Sequence, residues 1–207
     1  MANVKFRWTE HLIDCDRKYD RYVKYIKQGD NKELYLSSLK LAADGAKRED
    51  LAGYACYLLY DLYQEGEYVA QDAELAMKYL QAGCDLGETE CLIARAARDS
   101  TDGEDLDKKL EQITNDGVNR EYMVWEMRAY IRSRQSKKYM PSGSTPAKPN
   151  YFLQVKYLMK AKATLPKHKY FDPIRNDYKK RIKKLVLPPV IIMILALLIS
   201  VFISVIS

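Results

Sequence analysis

Residues 51–83 read LAGYACYLLYDLYQEGEYVAQDAELAMKYLQAG, and this stretch decides the fold. From Leu51 to Tyr63 apolar and aromatic residues recur at three- and four-residue steps with no proline, which predicts a helix. Gln64 to Asp72 is polar and contains Gly66, the residue type that ends a helix in a left-handed conformation. Asp72 then stands where an N-cap belongs, immediately before a second periodic run, Ala73–Gly83. The stretch predicts two antiparallel helices joined by a short turn. Alanines at 52, 55, 76 and 82 allow close approach, while Leu58, Leu59, Leu62, Met77 and Leu80 fill the space between hairpins.

The turn signal repeats. Asp44-Gly45-Ala46-Lys47-Arg48-Glu49 returns as Asp116-Gly117-Val118-Asn119-Arg120-Glu121, and Leu86-Gly87-Glu88 holds the equivalent place between them. A helical hairpin recurring at such a period buries its apolar face by stacking on its neighbours. The unit resembles a Sel1-like repeat, a relative of the tetratricopeptide repeat. The likeness rests on Gly66 in the turn, the Val69 to Asp72 step, and Ala76 with Tyr79 on the second helix. It spans Gly45 to Ala97; Leu106 to Arg134 lacks the glycine-containing turn and is expected as a degenerate or capping repeat. The resemblance implies an all-α, short helical-hairpin solenoid that binds a protein or peptide on its concave side.

Outward from the repeats, residues 1–30 are expected as an N-terminal helical cap, with a helix from Trp8 to Gly29, and residues 31–132 as the repeats. Residues 133–150, rich in Pro, Ser and Gly, are expected as an exposed, mobile loop. Residues 151–184 resume helical spacing over Tyr151–Thr164 and again over Asp172–Leu185, a last helix that either lies on the membrane or runs straight into the apolar run that follows.

From Leu185 to Ser207 no charged residue occurs, a run long enough to cross about 30 Å of hydrocarbon as a single transmembrane helix. Pro188 and Pro189 are expected near the start of its regular helix, where a missing N–H costs little. The chain carries a net +6, but residues 151–184 hold eleven Lys or Arg against two Asp, a local +9, so the remainder is −3. Basic charge is thus gathered beside the apolar run, the pattern of a membrane protein and not of a nucleic-acid binder. Arg175, Lys179, Lys180, Arg181, Lys183 and Lys184 form this juxtamembrane cluster. By the positive-inside rule they keep the N-terminal domain cytosolic and send the C-terminus across, as a single-pass tail anchor in a bacterial inner membrane or the endoplasmic reticulum. A contact with anionic lipid is the alternative use of the same charges. The first residues carry no secretory signal pattern.

No P-loop, dinucleotide, zincin or nucleophile-elbow motif is found, so neither enzyme chemistry nor a cofactor is expected. Cys15, Cys56, Cys84 and Cys91 form no CxxC pair, and His11 and His168 fall in no metal-ligand spacing with them. The cysteines are expected as small buried hydrophobes. Tyr54, Tyr57, Tyr60 and Tyr63 recur at i+3; Tyr57 and Tyr63 are expected to pack, and Tyr54 and Tyr60 are the candidate partner-binding residues. Two functions are compatible with these features. One is an adaptor that holds a protein partner at the cytosolic face of a membrane; the other is an immunity or inhibitor protein that neutralises one membrane-associated effector.

Overall fold

The computed structural model describes residues 32–44, 49–66, 69–118, 120–139 and 143–206. The expected N-terminal cap, Gly45 and Cys15 lie outside the described residues. Among those described, the chain is all-α, with eight helices and no strand. They are α1 (Lys32–Ala43), α2 (Glu49–Glu65), α3 (Ala73–Asp85), α4 (Thr89–Arg98), α5 (Gly103–Asp116), α6 (Glu121–Ile131), α7 (Tyr151–Thr164) and α8 (Asp172–Ile206). The chain divides into two compact units, and α5 changes unit at Asp105.

The first unit holds α1 to α4 and α5 from Asp105 onward, ending at Arg120. Its hairpin is the one read from residues 51–83. Asp72 caps α3, accepting from the Glu74 and Leu75 amides at 3.1 and 2.9 Å. Gly66, Gly87 and Gly117 all take φ near +70 to +80°, the left-handed region that lets α2, α3 and α5 stop. Leu39 of α1, Tyr54, Leu58, Leu59 and Tyr63 of α2 and Ala76 of α3 form one buried cluster. Leu80, Cys84 and Cys91 form a second. A Cβ on Gly83 would run into the Cys91 sulfur and lie 3.2 Å from Cys56 Cβ, so only glycine lets α2, α3 and α4 meet there.

The second unit holds α6, α7 and α8, with Asp102–Glu104. Tyr122, Val124, Trp125, Tyr157, Leu158, Phe171 and Tyr178 fill its core. Arg128 is buried there too, its guanidinium 4.4 Å from the Tyr157 ring and 5.0 Å from that of Trp125, and it donates to the Tyr157 hydroxyl at 2.9 Å. Most described residues of segment 133–150 are exposed, but part of it is held against its neighbours. Ser133, Ser136 and Ala147 are buried, Ser136–Tyr139 forms a 3₁₀ turn, and the Gly103 amide donates to Thr145 O at 2.9 Å. Proline and serine report how little such a segment bonds to itself, not how closely its neighbours hold it.

Helix α8 takes the continuous of the two courses open to it and corrects only the placing of the prolines. It does not begin afresh at the proline pair but runs unbroken from Asp172, with Pro188 and Pro189 inside it. Tyr178 has already fixed the helix within the second unit, fully buried and donating to Glu126 at 2.6 Å. The two prolines leave the carbonyls of Lys184 and Leu185 without their usual i+4 donors, an interior-proline cost of about 3 kcal/mol each. Solvent can satisfy those carbonyls, since Lys184 and residues 186–189 are exposed. The side chains of α8 are described to Met193, Val190 excepted. Among the described residues no helix is long and apolar enough to cross a membrane. Most of the apolar run from Leu185 to Ser207 lies beyond that limit.

Candidate functional site

The tyrosine stripe of α2 is mostly core. Tyr54 is 7% exposed, stacked near Tyr57 and covered by the guanidinium of Arg120, 4.6 Å from its ring centre. Tyr63 is equally buried and stacks on Tyr79 with ring centres 6.1 Å apart. Of the two tyrosines expected to receive a partner, Tyr54 therefore has almost no surface to offer. Tyr60 keeps some, as does Tyr57.

What covers Tyr54 is a buried polar cluster formed where two copies of the turn motif meet. Arg120, from the third turn, pairs with Glu90, just after the second, and both are buried. The Arg120 amide also donates to Thr89 Oγ1 at 3.4 Å. Beside them, burial and a hydrogen bond to the Glu90 side chain push the Glu88 carboxyl well above the usual carboxylate range, so it stays protonated at neutral pH. A protonated Glu88 thus lies beside the buried Arg120–Glu90 pair, which joins one turn to the next. The thiols are quiet. Cys56, Cys84 and Cys91 are reduced and buried, and burial raises all three, Cys56 to about 11. No group of metal-ligating side chains occurs among the described residues.

Among the described residues each unit has a concave place. In the first, Leu92, Ile113 and Val118 line a cleft of about 450 Å³ that Arg95, Asp99 and Lys109 also border. Lys109 is held there, donating to Asp99 O at 2.6 Å and to Asp105 at 2.8 Å. Charges of both signs and an apolar lining suit a peptide better than a single ion.

In the second unit a cavity of about 850 Å³ is lined by Arg132, Arg134, Arg181 and Lys184 together with Tyr130, Tyr151, Gln154 and Leu185, and no carboxylate lines it. Only two of the six residues expected as the juxtamembrane cluster, Arg181 and Lys184, belong to it. Arg175 is tied elsewhere, paired with Asp172 and donating to Pro166 O at 2.6 Å. Lys179, Lys180 and Lys183 are exposed. Arg132 and Arg134 were not among the residues singled out from sequence. The signal was present: residues 131–150 contain five Lys or Arg and no acidic residue. No protein family, curated protein or solved structure matches this chain.

Proposed function

We propose that this chain is a membrane-tethered adaptor, whose Sel1-like helical hairpins hold a protein or peptide partner at the cytosolic face while Leu185–Ser207 anchors it. The observation that carries the reading is the continuity of α8. One 35-residue helix starts as part of a folded unit, through Phe171 and Tyr178, and goes on into the uncharged run. From Leu185 to Ile206 it extends about 33 Å at 1.5 Å per residue, against a hydrocarbon thickness of about 30 Å. The partner surface is the mixed cleft at Leu92, Ile113 and Val118, with Tyr57 and Tyr60 as the remaining accessible part of the tyrosine stripe. Buried, reduced thiols and a buried ion pair between turns favour binding over catalysis.

Fractionation of cells expressing the full chain and Met1–Lys184 tests the anchor, because the shorter form keeps both Phe171 and Tyr178. The full chain should resist alkaline extraction from membranes and the shorter form should be soluble. Release of the full chain by alkali would sink the tethering. Cross-linking at Leu92 or Ile113 should capture one reproducible partner with either form, and a partner captured only through α8 would move the binding function off the repeats.

A further inference from the structure

The cationic cavity of the second unit is placed and charged for one kind of ligand. Four cations line it and no acid does. Two of them are already compensated. Glu104 holds Arg132 in a two-pronged pair at 2.7 and 2.8 Å, and Glu126 holds Arg181 at 2.6 Å. These carboxylates fix the two guanidinium groups without lining the cavity. Arg134 and Lys184 are exposed and make no ion pair among the described residues, so the cavity keeps about two uncompensated positive charges. Tyr151 lines it as well, with its hydroxyl out of solvent and lacking a hydrogen-bond partner among the described residues. Fixed guanidinium donors, a mobile ammonium and a residual charge near +2 match a phosphate group, which carries one to two negative charges and several acceptor oxygens.

Position then selects the source of the phosphate. Lys184 and Leu185 both line the cavity, and Leu185 is the first residue of the uncharged run. A cavity that opens at the residue where the anchor begins lies at headgroup depth once that anchor is inserted, where anionic lipids are concentrated. We infer that the cavity bounded by Arg132, Arg134, Arg181 and Lys184 binds the phosphate of an anionic phospholipid headgroup. The choice of a lipid over free phosphate rests on the proposed anchor; the choice of phosphate rests on the cavity alone. This assigns the juxtamembrane charges two jobs. Lys179, Lys180 and Lys183 present diffuse charge to the surface, and Arg181 with Lys184 turns a specific headgroup into the fold.

The test uses the full chain purified in a neutral detergent and offered equal amounts of phosphatidic acid and phosphatidylcholine, with retained lipid read by native mass spectrometry. Three proteins are compared: wild type, Arg134→Ala/Lys184→Ala, and Lys179→Ala/Lys180→Ala, the last removing the same charge outside the cavity. All the replaced residues are exposed, and the circular dichroism of each variant confirms its fold. Wild type should retain phosphatidic acid over phosphatidylcholine. The cavity variant should lose roughly fivefold in affinity for each cation, about thirtyfold together, and the control should lose little. Equal retention by wild type and the cavity variant, or equal loss in both variants, would overturn the site. A second arm adds inorganic phosphate alone and follows the thermal midpoint. A rise in wild type, absent in the cavity variant and unaccompanied by retained lipid, would keep the phosphate and overturn the lipid. Failure of the anchor shows separately, as release of the full chain by alkali.

Discussion

Gly83→Ala puts the stacking of the hairpins to a quantitative test. In an ordinary helix interior this change stabilises by about 1 kcal/mol, because alanine is the better helix former. Here the added methyl meets the sulfur of Cys91, which is 0% exposed and has nowhere to go, and it lies 3.2 Å from both Cys56 Cβ and Cys91 Cβ. Over-packing of this kind costs about 1–3 kcal/mol, and with contacts from two other helices the upper half of that range applies. The expected net loss is roughly 1–2 kcal/mol. Cys91→Ala removes the obstructing sulfur and on its own should cost about 1 kcal/mol for the void it leaves. In that background Gly83→Ala should be close to neutral, so the two substitutions should couple favourably by at least about 1 kcal/mol. Chemical denaturation of the full chain in a mild detergent, followed by far-ultraviolet circular dichroism, gives all four corners of the cycle. A Gly83→Ala variant as stable as wild type, or the same loss in both backgrounds, would refute the close approach of α2 and α4 on α3.

Asp72→Ala should cost about 1 kcal/mol, since it removes the acceptor for two orphan amides at the start of α3, and Asp72→Asn should recover most of that in the same denaturation assay. Glu88 gives a pH signature. Its carboxyl is held protonated in the fold, so above about pH 4.3 the unfolded chain releases a proton that the native state keeps. Stability should then fall with rising pH by up to about 1.4 kcal/mol per unit through neutrality, and Glu88→Gln should flatten that slope. An unchanged slope in the variant would show that Glu88 is ionised in the fold.

The parts of this fold that the sequence foretold are those fixed by neighbours within a few residues. Asp72 and Gly66 set the limits of the central hairpin, and α7 occupies Tyr151–Thr164 because Asn150 caps it, accepting from the Leu153 amide at 3.0 Å, while Pro166 follows its end. What eluded the sequence depends on distant partners. A stripe of tyrosines at i+3 shows that they share a face, but Tyr54 is buried by Arg120, 66 positions later in the chain. Net charge in residues 151–184 is a sum, and it does not reveal that Asp172 and Glu126 have claimed Arg175 and Arg181. Likewise the Pro- and Ser-rich stretch was judged by its own backbone preferences. Arg134 within it and Arg132 just before it find their setting only when α8 and Glu104 are brought beside them.

That last point bears on how the proposed phosphate site is tied to the rest of its unit. Arg181 is a member of two arrangements at once. It pairs with Glu126, the carboxylate that also receives the Tyr178 hydroxyl, and its guanidinium lies 4.6 Å from the Tyr130 ring. Glu126 and Tyr130 belong to α6, so the same arginine that lines the cavity ties α8 to the core of the second unit. A phosphate seated in the proposed site would meet a guanidinium already oriented by Glu126. The proposed headgroup site and the attachment of α8 to its unit therefore share one side chain. The lysines at 179, 180 and 183 have no such link, and their attraction to a surface would draw the helix closer without telling the folded unit that it had arrived.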